Sequence, residues 1–196
     1  MKKVCVIIGL MVFFLCGCAE QKTEETWFMD FDAKDKEFGQ FQGNRRDDTE
    51  VYEDELDKFY INIEEYVDFI MEDDARGMVN SFSTKLIAFL GDVNGVSYDT
   101  AKEIAREKVA ETFEKTDIKD LYDGWSKKQH RIEISKVRAF SQRAELIDAY
   151  LGCGIRITDA VEVEFKVIAG PDERKARLRL IKNQNGGWAT DADYFF

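Results

Sequence analysis

Basic charge is scarce in this chain of 196 residues. Lysine and arginine number 28 against 39 aspartates and glutamates, which gives a formal net charge of −11 at pH 7. Much of the excess acid lies between Glu20 and Asp57. A surface of this sign is repelled by phosphate backbones and by anionic lipid surfaces. The composition therefore argues against nucleic acid as a partner.

The sequence also lacks a hydrophobic run long enough to cross a membrane as a helix. The apolar stretch at residues 4–15 follows Met1-Lys2-Lys3, and acidic residues begin at Glu20. A transmembrane helix needs roughly 20 apolar residues. A basic start followed by a short apolar run is typical of a secretory signal peptide. We expect residues 1–17 to be such a signal.

The end of this apolar run reads Leu15, Cys16, Gly17 and Cys18. These residues resemble the lipobox of bacterial lipoproteins, which has leucine at −3, a small residue at −1 and the lipidated cysteine at +1. The resemblance implies cleavage before Cys18, a diacylglyceryl thioether on its sulfur and an acylated new N-terminus. Two or three acyl chains anchor a protein stably. The implied location is the bacterial cell envelope, at the outer membrane if the host has two membranes, because Ala19 permits that sorting.

Cysteine and histidine are nearly absent from the mature chain. Cys5 and Cys16 leave with the signal and Cys18 is consumed by lipid, so Cys153 is the last thiol. One thiol excludes an internal disulfide and a CxxC metal site. The single histidine, His130, could pair with Cys153 as a nucleophile and base, but nothing in the sequence places the two together.

A calcium loop is the one metal motif that the sequence approaches. Residues 91–95 resemble the opening of an EF-hand loop, and Glu103 falls at the twelfth position. Val96 stands where an oxygen ligand belongs, and Ser97 replaces the glycine at the sixth position. We interpret the stretch as an interhelical turn, and we expect neither a metal nor a cofactor.

The chain divides into three parts by composition. After the signal at residues 1–17, residues 18–53 are polar and acidic, and we interpret them as a flexible tether. Isolated aromatics between Trp27 and Phe41 leave open a short linear motif for a partner. Residues 54–196 have the apolar periodicity of one folded domain.

Helical periodicity comes first in that domain. Apolar residues from Leu56 onward recur at three and four residue spacings, and they predict a helical stretch with a bend at Gly77 and an end at Gly91. A second helix is predicted to start near Asp99 or Thr100, with Thr100 and Glu103 as a candidate capping box. After residue 124 the period becomes two, and strands are predicted at 131–140, 144–151, 155–167, 175–182 and 188–195. This order predicts an α+β fold with helices covering one face of an antiparallel sheet.

Side-chain alternation in the last three strands selects one register. It places Val163 opposite Leu178 and Leu178 opposite Ala192, with Gly186 in the left-handed position of the second turn. Two charged rungs follow, Glu164-Arg177-Asp193 and Glu162-Arg179-Asp191. We interpret them as a solvated outer face of the sheet rather than a catalytic acid cluster.

Leading helices followed by an alternating meander that ends near Trp188 and Tyr194 resemble the NTF2-like, or cystatin-like, superfamily over residues 54–196. The resemblance implies a cone in which helices pack on a curved antiparallel sheet around a pocket. Members of the superfamily use that pocket for isomerase or hydrolase chemistry, for binding or for assembly. The predicted lining of the pocket is Tyr60, Tyr66, Phe82, Phe165, Leu178, Trp188 and Tyr194.

We therefore expect a lipid-anchored envelope protein whose domain binds a protein partner or a small apolar ligand without catalysis, because the pattern aims no ionisable residue at the pocket. One alternative is a pocket enzyme of the isomerase or dehydratase type. Another is an envelope assembly or exclusion factor that acts through the acidic tether.

Overall fold

The computed structural model describes residues 47–116, 118, 121 and 130–192. The described chain is an α+β fold with five α-helices and a four-stranded antiparallel sheet of order β1-β2-β3-β4, which is not closed into a barrel. After a 3-10 helix at Thr49–Glu55, the helices are α1 (Leu56–Glu72), α2 (Ala75–Ser81), α3 (Thr84–Asn94), α4 (Tyr98–Glu114) and α5 (Arg143–Gly152). The strands are β1 (His130–Ala139), β2 (Ile157–Ala169), β3 (Asp172–Asn183) and β4 (Trp188–Thr190).

The predicted signal and Cys18 lie outside the described residues, as do Asp193 and Tyr194. Within the described ranges, no helix combines the length and the apolarity needed to cross a membrane.

Two glycines predicted as helix breaks lie inside helices instead. The chain breaks at Asp73, which has a left-handed φ of 54°, and Gly77 lies within α2. A Cβ on Gly77 would come 2.7 Å from Cε1 of Phe69, so this glycine allows close helix packing. Gly91 is buried within α3, and the helix ends at Gly95, whose φ is 65°. Both predicted breaks were wrong because a small residue can serve packing as well as termination.

The start of α4 also differs from the prediction. Ser97 is the N-cap, and its side chain accepts a hydrogen bond from the backbone N–H of Thr100 at 3.2 Å. Thr100 therefore lies in the first turn of α4, and the capping box predicted with Glu103 was wrong.

The strand register was predicted correctly. Val163 faces Leu178, Glu164 faces Arg177 and Glu162 faces Arg179. The second hairpin keeps the predicted register, since Asp191 donates its N–H to the carbonyl of Arg179 at 2.9 Å and Gly186 has a φ of 80°. The rung position of Asp193 lies beyond the described chain.

The predicted strand at residues 144–151 is wrong, because this segment is helix α5. Leu146, Tyr150 and Cys153 recur at helical spacing and are buried. Leu146 and Tyr150 lie on the outer side of the sheet, in a second apolar cluster with Phe140, Ile157, Ala160 and Ile181. Cys153 belongs to the main core. Helices therefore cover both faces of the sheet, whereas the sequence predicted one.

The main core lies between helices α1 to α4 and the inner face of the sheet. Alternate residues of β2 and β3, including Val163, Phe165 and Leu178, meet the buried stripe of α1, which includes Phe59, Ile63 and Tyr66. Burial of this apolar surface is the main source of stability for a chain that lacks disulfides among its described residues.

Residues before α1 belong to the folded domain. Asp48 donates its N–H to the carbonyl of Val137 at 2.9 Å, and its carboxylate accepts the N–H of Ala139 at 3.1 Å. The Thr49 hydroxyl accepts the N–H of Val137 at 2.9 Å. Asp48 and Thr49 therefore contact the sheet, on the N-terminal side of the boundary predicted at residue 54.

Candidate functional site

Five of the seven predicted pocket residues lie together in the main core. Tyr66, Phe82, Phe165, Leu178 and Trp188 are all buried and belong to one apolar cluster. Their side chains come from α1, from the residue after α2, and from β2, β3 and β4. The sequence pattern thus identified residues that share one face, and the structure packs them as core.

Tyr60 does not join these five residues. Its side chain is 38% exposed, and its hydroxyl accepts the backbone N–H of Ile134 at 3.4 Å at the edge of β1. The reason is its position on α1, one residue after the buried Phe59 and away from the core stripe. Tyr194, the seventh residue, lies outside the described chain.

A network of alternating charges occupies the outer face of the sheet. Arg138 on β1 forms an ion pair with Glu164 and approaches Glu162 at 3.5 Å. Arg177 on β3 approaches the same two carboxylates from the other side, also at 3.5 Å. Each acid therefore lies between two guanidinium groups, which neutralises the cluster.

The neighbouring rung is buried beneath α5. The guanidinium of Arg179 pairs with Asp191, and the hydroxyl of Tyr150 donates to the other oxygen of that carboxylate at 2.5 Å. Arg179 also lies over the ring of Phe140, 4.6 Å from its centroid. The pairing of Arg179 with Asp191 was predicted correctly, but the prediction of a solvated face was wrong for Glu162, Arg179 and Asp191, which are buried.

Glu55 forms a second polar centre where the 3-10 helix meets the sheet. Its carboxylate accepts hydrogen bonds from Lys182 at 2.6 Å, Lys58 at 2.7 Å and the indole N–H of Trp188 at 3.1 Å. These donors, the Lys182 hydrogen bond foremost, lower the pKa of Glu55 from 4.5 to about 2. The ammonium of Lys182 lies 5.4 Å from the Trp188 ring centroid, and the Phe59 ring packs edge-on at 4.9 Å.

Tyr52 links the 3-10 helix to the start of β2. Its hydroxyl donates to Asp159 at 3.2 Å, and Arg143 at the start of α5 donates to the same carboxylate at 2.9 Å. Burial, followed by the negative charge of Asp159, raises the pKa of Tyr52 to about 12. The phenol therefore stays protonated at neutral pH and serves as a hydrogen-bond donor.

The Cys153–His130 pair is ruled out by the strand geometry. His130 pairs with Ala169 at the end of β2, whereas Cys153 lies just before the start of β2 at Ile157. Since β2 has 13 residues and a strand rises about 3.3 Å per residue, its ends lie about 40 Å apart. The Cys153 thiol is buried and donates to the carbonyl of Ala149 at 3.3 Å.

The stretch at residues 91–95, which resembles the opening of a calcium loop in sequence, is a helix end. The N–H of Val96 donates to the carbonyl of Gly91 at 2.9 Å, and Gly95 takes the left-handed conformation that closes α3. Across the part of the chain that the structure describes, no group of three or more His, Cys, Asp or Glu side chains could hold a metal ion.

Sequence reasoning missed the side chains that hold the 3-10 helix to the sheet. Tyr52 and Glu55 precede the helical stripe, and Lys182 ends a predicted strand, so no periodic pattern relates them. Tyr150 was missed because its segment was assigned to a strand. Its spacing from Leu146 and Cys153, four and three residues respectively, was the available helical signal.

No protein-family model matches the chain, and neither a curated protein nor a solved structure matches it.

Proposed function

We propose that this chain is a lipid-anchored protein of the bacterial cell envelope whose folded domain binds a protein partner and performs no catalysis. Its anchor would be Cys18, reached through the signal-like residues 1–17 and followed by the acidic tether. The support for the anchor is the sequence alone, in the residues Leu15, Gly17 and Cys18.

The observation that carries the binding role is the contrast between core and surface. The five described pocket residues of the main core are each at most 8% exposed. Large apolar side chains lie instead on the surface of the helical layer, where Val51 is 68% and Ile61 is 64% exposed. Exposed apolar side chains of this kind are available for contact with another protein, whereas the predicted pocket residues are already packed against one another in the core.

The surface of the helical layer is also acidic. Between Thr49 and Glu114 the sequence holds seventeen acidic and six basic residues, whereas between His130 and Ala192 it holds nine acidic and eleven basic residues. The helical layer is therefore strongly acidic and the sheet is nearly neutral. A partner that docks on the helical layer would carry a basic surface, since opposite potentials steer association.

We further propose that the domain belongs to the NTF2-like type. Support comes from four helices packed on the inner face of an antiparallel meander, in the order that this superfamily implies. A curved cone and its pocket remain predictions, and the residues assigned to that pocket are those named above.

The proposal is tested by crosslinking the intact lipoprotein in living cells and identifying the proteins captured with it. Ile61→Ser on α1 should lower recovery of a partner about tenfold or more, because burying an isoleucine side chain at an interface contributes about 1.5 to 3 kcal/mol. Leu151→Ser is the matched control, because Leu151 is 53% exposed on α5, on the other face of the sheet. Unchanged capture by Ile61→Ser, or equal loss in both variants, would contradict the proposal.

A further inference from the structure

The solvent face of α1 carries a narrow band of acidic side chains. With about 3.6 residues per turn, five acids and one isoleucine of this helix fall within an arc of about 100°. All six are exposed, and they extend about 22 Å along the helix axis at about 1.5 Å per residue. We call this band the acidic stripe. It consists of Asp57, Ile61, Glu64, Glu65, Asp68 and Glu72.

No basic side chain of α1 balances the middle of the acidic stripe. Glu64, Glu65 and Asp68 have no lysine or arginine within four positions on either side. The nearest one along α1 is Lys58, which donates to Glu55 at 2.7 Å. Glu64 and Asp68 are four residues apart, a spacing at which like charges destabilise a helix. These acids therefore lower the stability of α1, and cations supplied from outside the helix would relieve their repulsion.

The exposed face of α4 is also rich in acids, but its own residues balance part of their charge. Arg106 pairs with Glu103 at 3.2 Å, and Lys108 pairs with Glu111 at 3.5 Å. Opposite charges three residues apart stabilise the helix that carries them. Within the helical layer, the acidic stripe of α1 is thus a more strongly negative surface than the face of α4.

We propose that the acidic stripe binds a basic helix of the partner protein, an inference that rests on the function proposed above. Lysines and arginines three and four residues apart on a helix repeat at about 5 to 6 Å, the interval at which the acids of α1 repeat. The stripe follows about four turns of a helix, so a second helix can lie along it. Ile61 is 64% exposed among the acids and would contact an apolar side chain between the charge pairs. The matching partner segment therefore bears lysines or arginines on one face with an apolar side chain among them.

Fluorescence anisotropy with a labelled synthetic peptide tests this inference on the full chain in nonionic detergent micelles. The probe is an alanine-rich helical peptide of about 20 residues, with lysines at three- and four-residue spacings along one face and one leucine among them. A second peptide has the same composition, but its lysines are spread around the helix. The first peptide should bind at least about 5-fold more tightly than the second, because its charges match those of the stripe. Its binding should weaken as salt is added.

Two double variants locate the binding surface. Glu64→Gln with Asp68→Asn should weaken binding of the first peptide about 3- to 10-fold, as expected for the loss of two exposed charge pairs. Glu107→Gln with Glu111→Gln is the matched control, because it removes two exposed acids at the same spacing from α4, and it should bind as the wild type does. Equal binding of the two peptides, or equal weakening by the two double variants, would overturn the inference.

Crosslinking in living cells separates this inference from the proposed function. Partner capture should fall in Glu64→Gln with Asp68→Asn, as it should in Ile61→Ser, and stay unchanged in the α4 double variant. Capture that depends on Ile61 but not on Glu64 and Asp68 would overturn the role of the acidic stripe and leave the proposed function standing. Capture that is insensitive to Ile61 would overturn the proposed function and this inference together.

Discussion

The charged side chains of the sheet form a buried group and an exposed group. Burial determines how much each ion pair contributes to the stability of the fold. Arg179 and Asp191 are buried, and Tyr150 completes the hydrogen bonding of the carboxylate. Removing one partner of such a pair typically costs about 3 to 5 kcal/mol, because the other charge remains buried and unpaired. Arg177 is half exposed, so its ion pairs are screened and are worth about 1 kcal/mol or less each.

Glu55 gives a pH-dependent prediction. Its pKa is about 2 in the folded protein and 4.5 ordinarily, so its stabilising effect is complete above pH 4.5 and is lost as the pH falls from 4.5 towards 2. Glu55→Gln should lower the free energy of unfolding by about 1 to 3 kcal/mol at pH 7, as expected for charged hydrogen bonds. Urea unfolding at pH 7, 5 and 3 should show the difference from the wild type shrinking at the lowest pH.

The control for this series is Glu53→Gln. Glu53 is an exposed acid in the same 3-10 helix, and its substitution should change the urea midpoint little at any of the three pH values. A Glu55→Gln deficit that stays constant from pH 7 to pH 3 would contradict the role of its carboxylate charge.

Helices and strands differed in how far the sequence could predict them. The register of β2, β3 and β4 was predictable, because a slip of one residue would invert the apolar face and set the glutamates of β2 opposite apolar residues of β3. The segment that forms α5 was not, because a short apolar run such as Leu146 and Ile147 fits either period. Helix α5 contributes to the burial of Glu162, Arg179 and Asp191. The sequence therefore predicted how these residues pair but not that they are buried.

The core was predictable for similar reasons, whereas the contacts of the 3-10 helix were not. Tyr66, Phe165 and Leu178 lie on periodic faces and therefore appear in the pattern. Contacts of Glu55 with Lys182 and Trp188 join positions far apart in the sequence with no shared period. Such contacts depend on where α1 crosses the sheet, which local spacing does not specify.

The pairing between β2 and β3 predicts opposite effects for two substitutions on one strand. Arg177→Glu places a third acid beside Glu162 and Glu164, with which Arg177 now pairs at 3.5 Å. The free energy of unfolding should fall by about 1 to 2 kcal/mol, because opposed like charges on adjacent strands destabilise a sheet. Urea unfolding should show part of that loss recovered at high salt, where exposed charges are screened.

Lys175→Glu is the matched control on the same strand. Lys175 faces Lys166 across the hairpin, so the same change of charge replaces a repulsive neighbour with an attractive one. Stability should stay the same or rise by a few tenths of a kcal/mol. Equal losses in Arg177→Glu and Lys175→Glu would mean that net charge, rather than cross-strand pairing, governs both.

At the scale of the entire chain, the distribution of charge bears on the proposed lipid anchor. The acidic stretch that begins at Glu20 leads to the 3-10 helix at Thr49–Glu55, and the acidic helical layer follows it. A negatively charged domain is repelled by anionic lipid surfaces. Firm attachment at a membrane would therefore have to come from the acyl chains, and the acidic tether would hold the domain away from the bilayer.

Cys18 is the residue on which the proposed attachment depends, so the last prediction concerns its substitution. When the full chain is expressed in a bacterium fed a fatty-acid analogue, the wild type should be labelled and recovered with membranes. Cys18→Ser should lose the label and leave the membrane fraction, because no thioether can form and residues 4–15 are too short to span the bilayer. Cys16→Ser, two residues away, should keep both label and membrane association, because the lipobox tolerates other small residues at that position. Label that persists in Cys18→Ser, or disappears from Cys16→Ser, would show that the anchor does not form at Cys18.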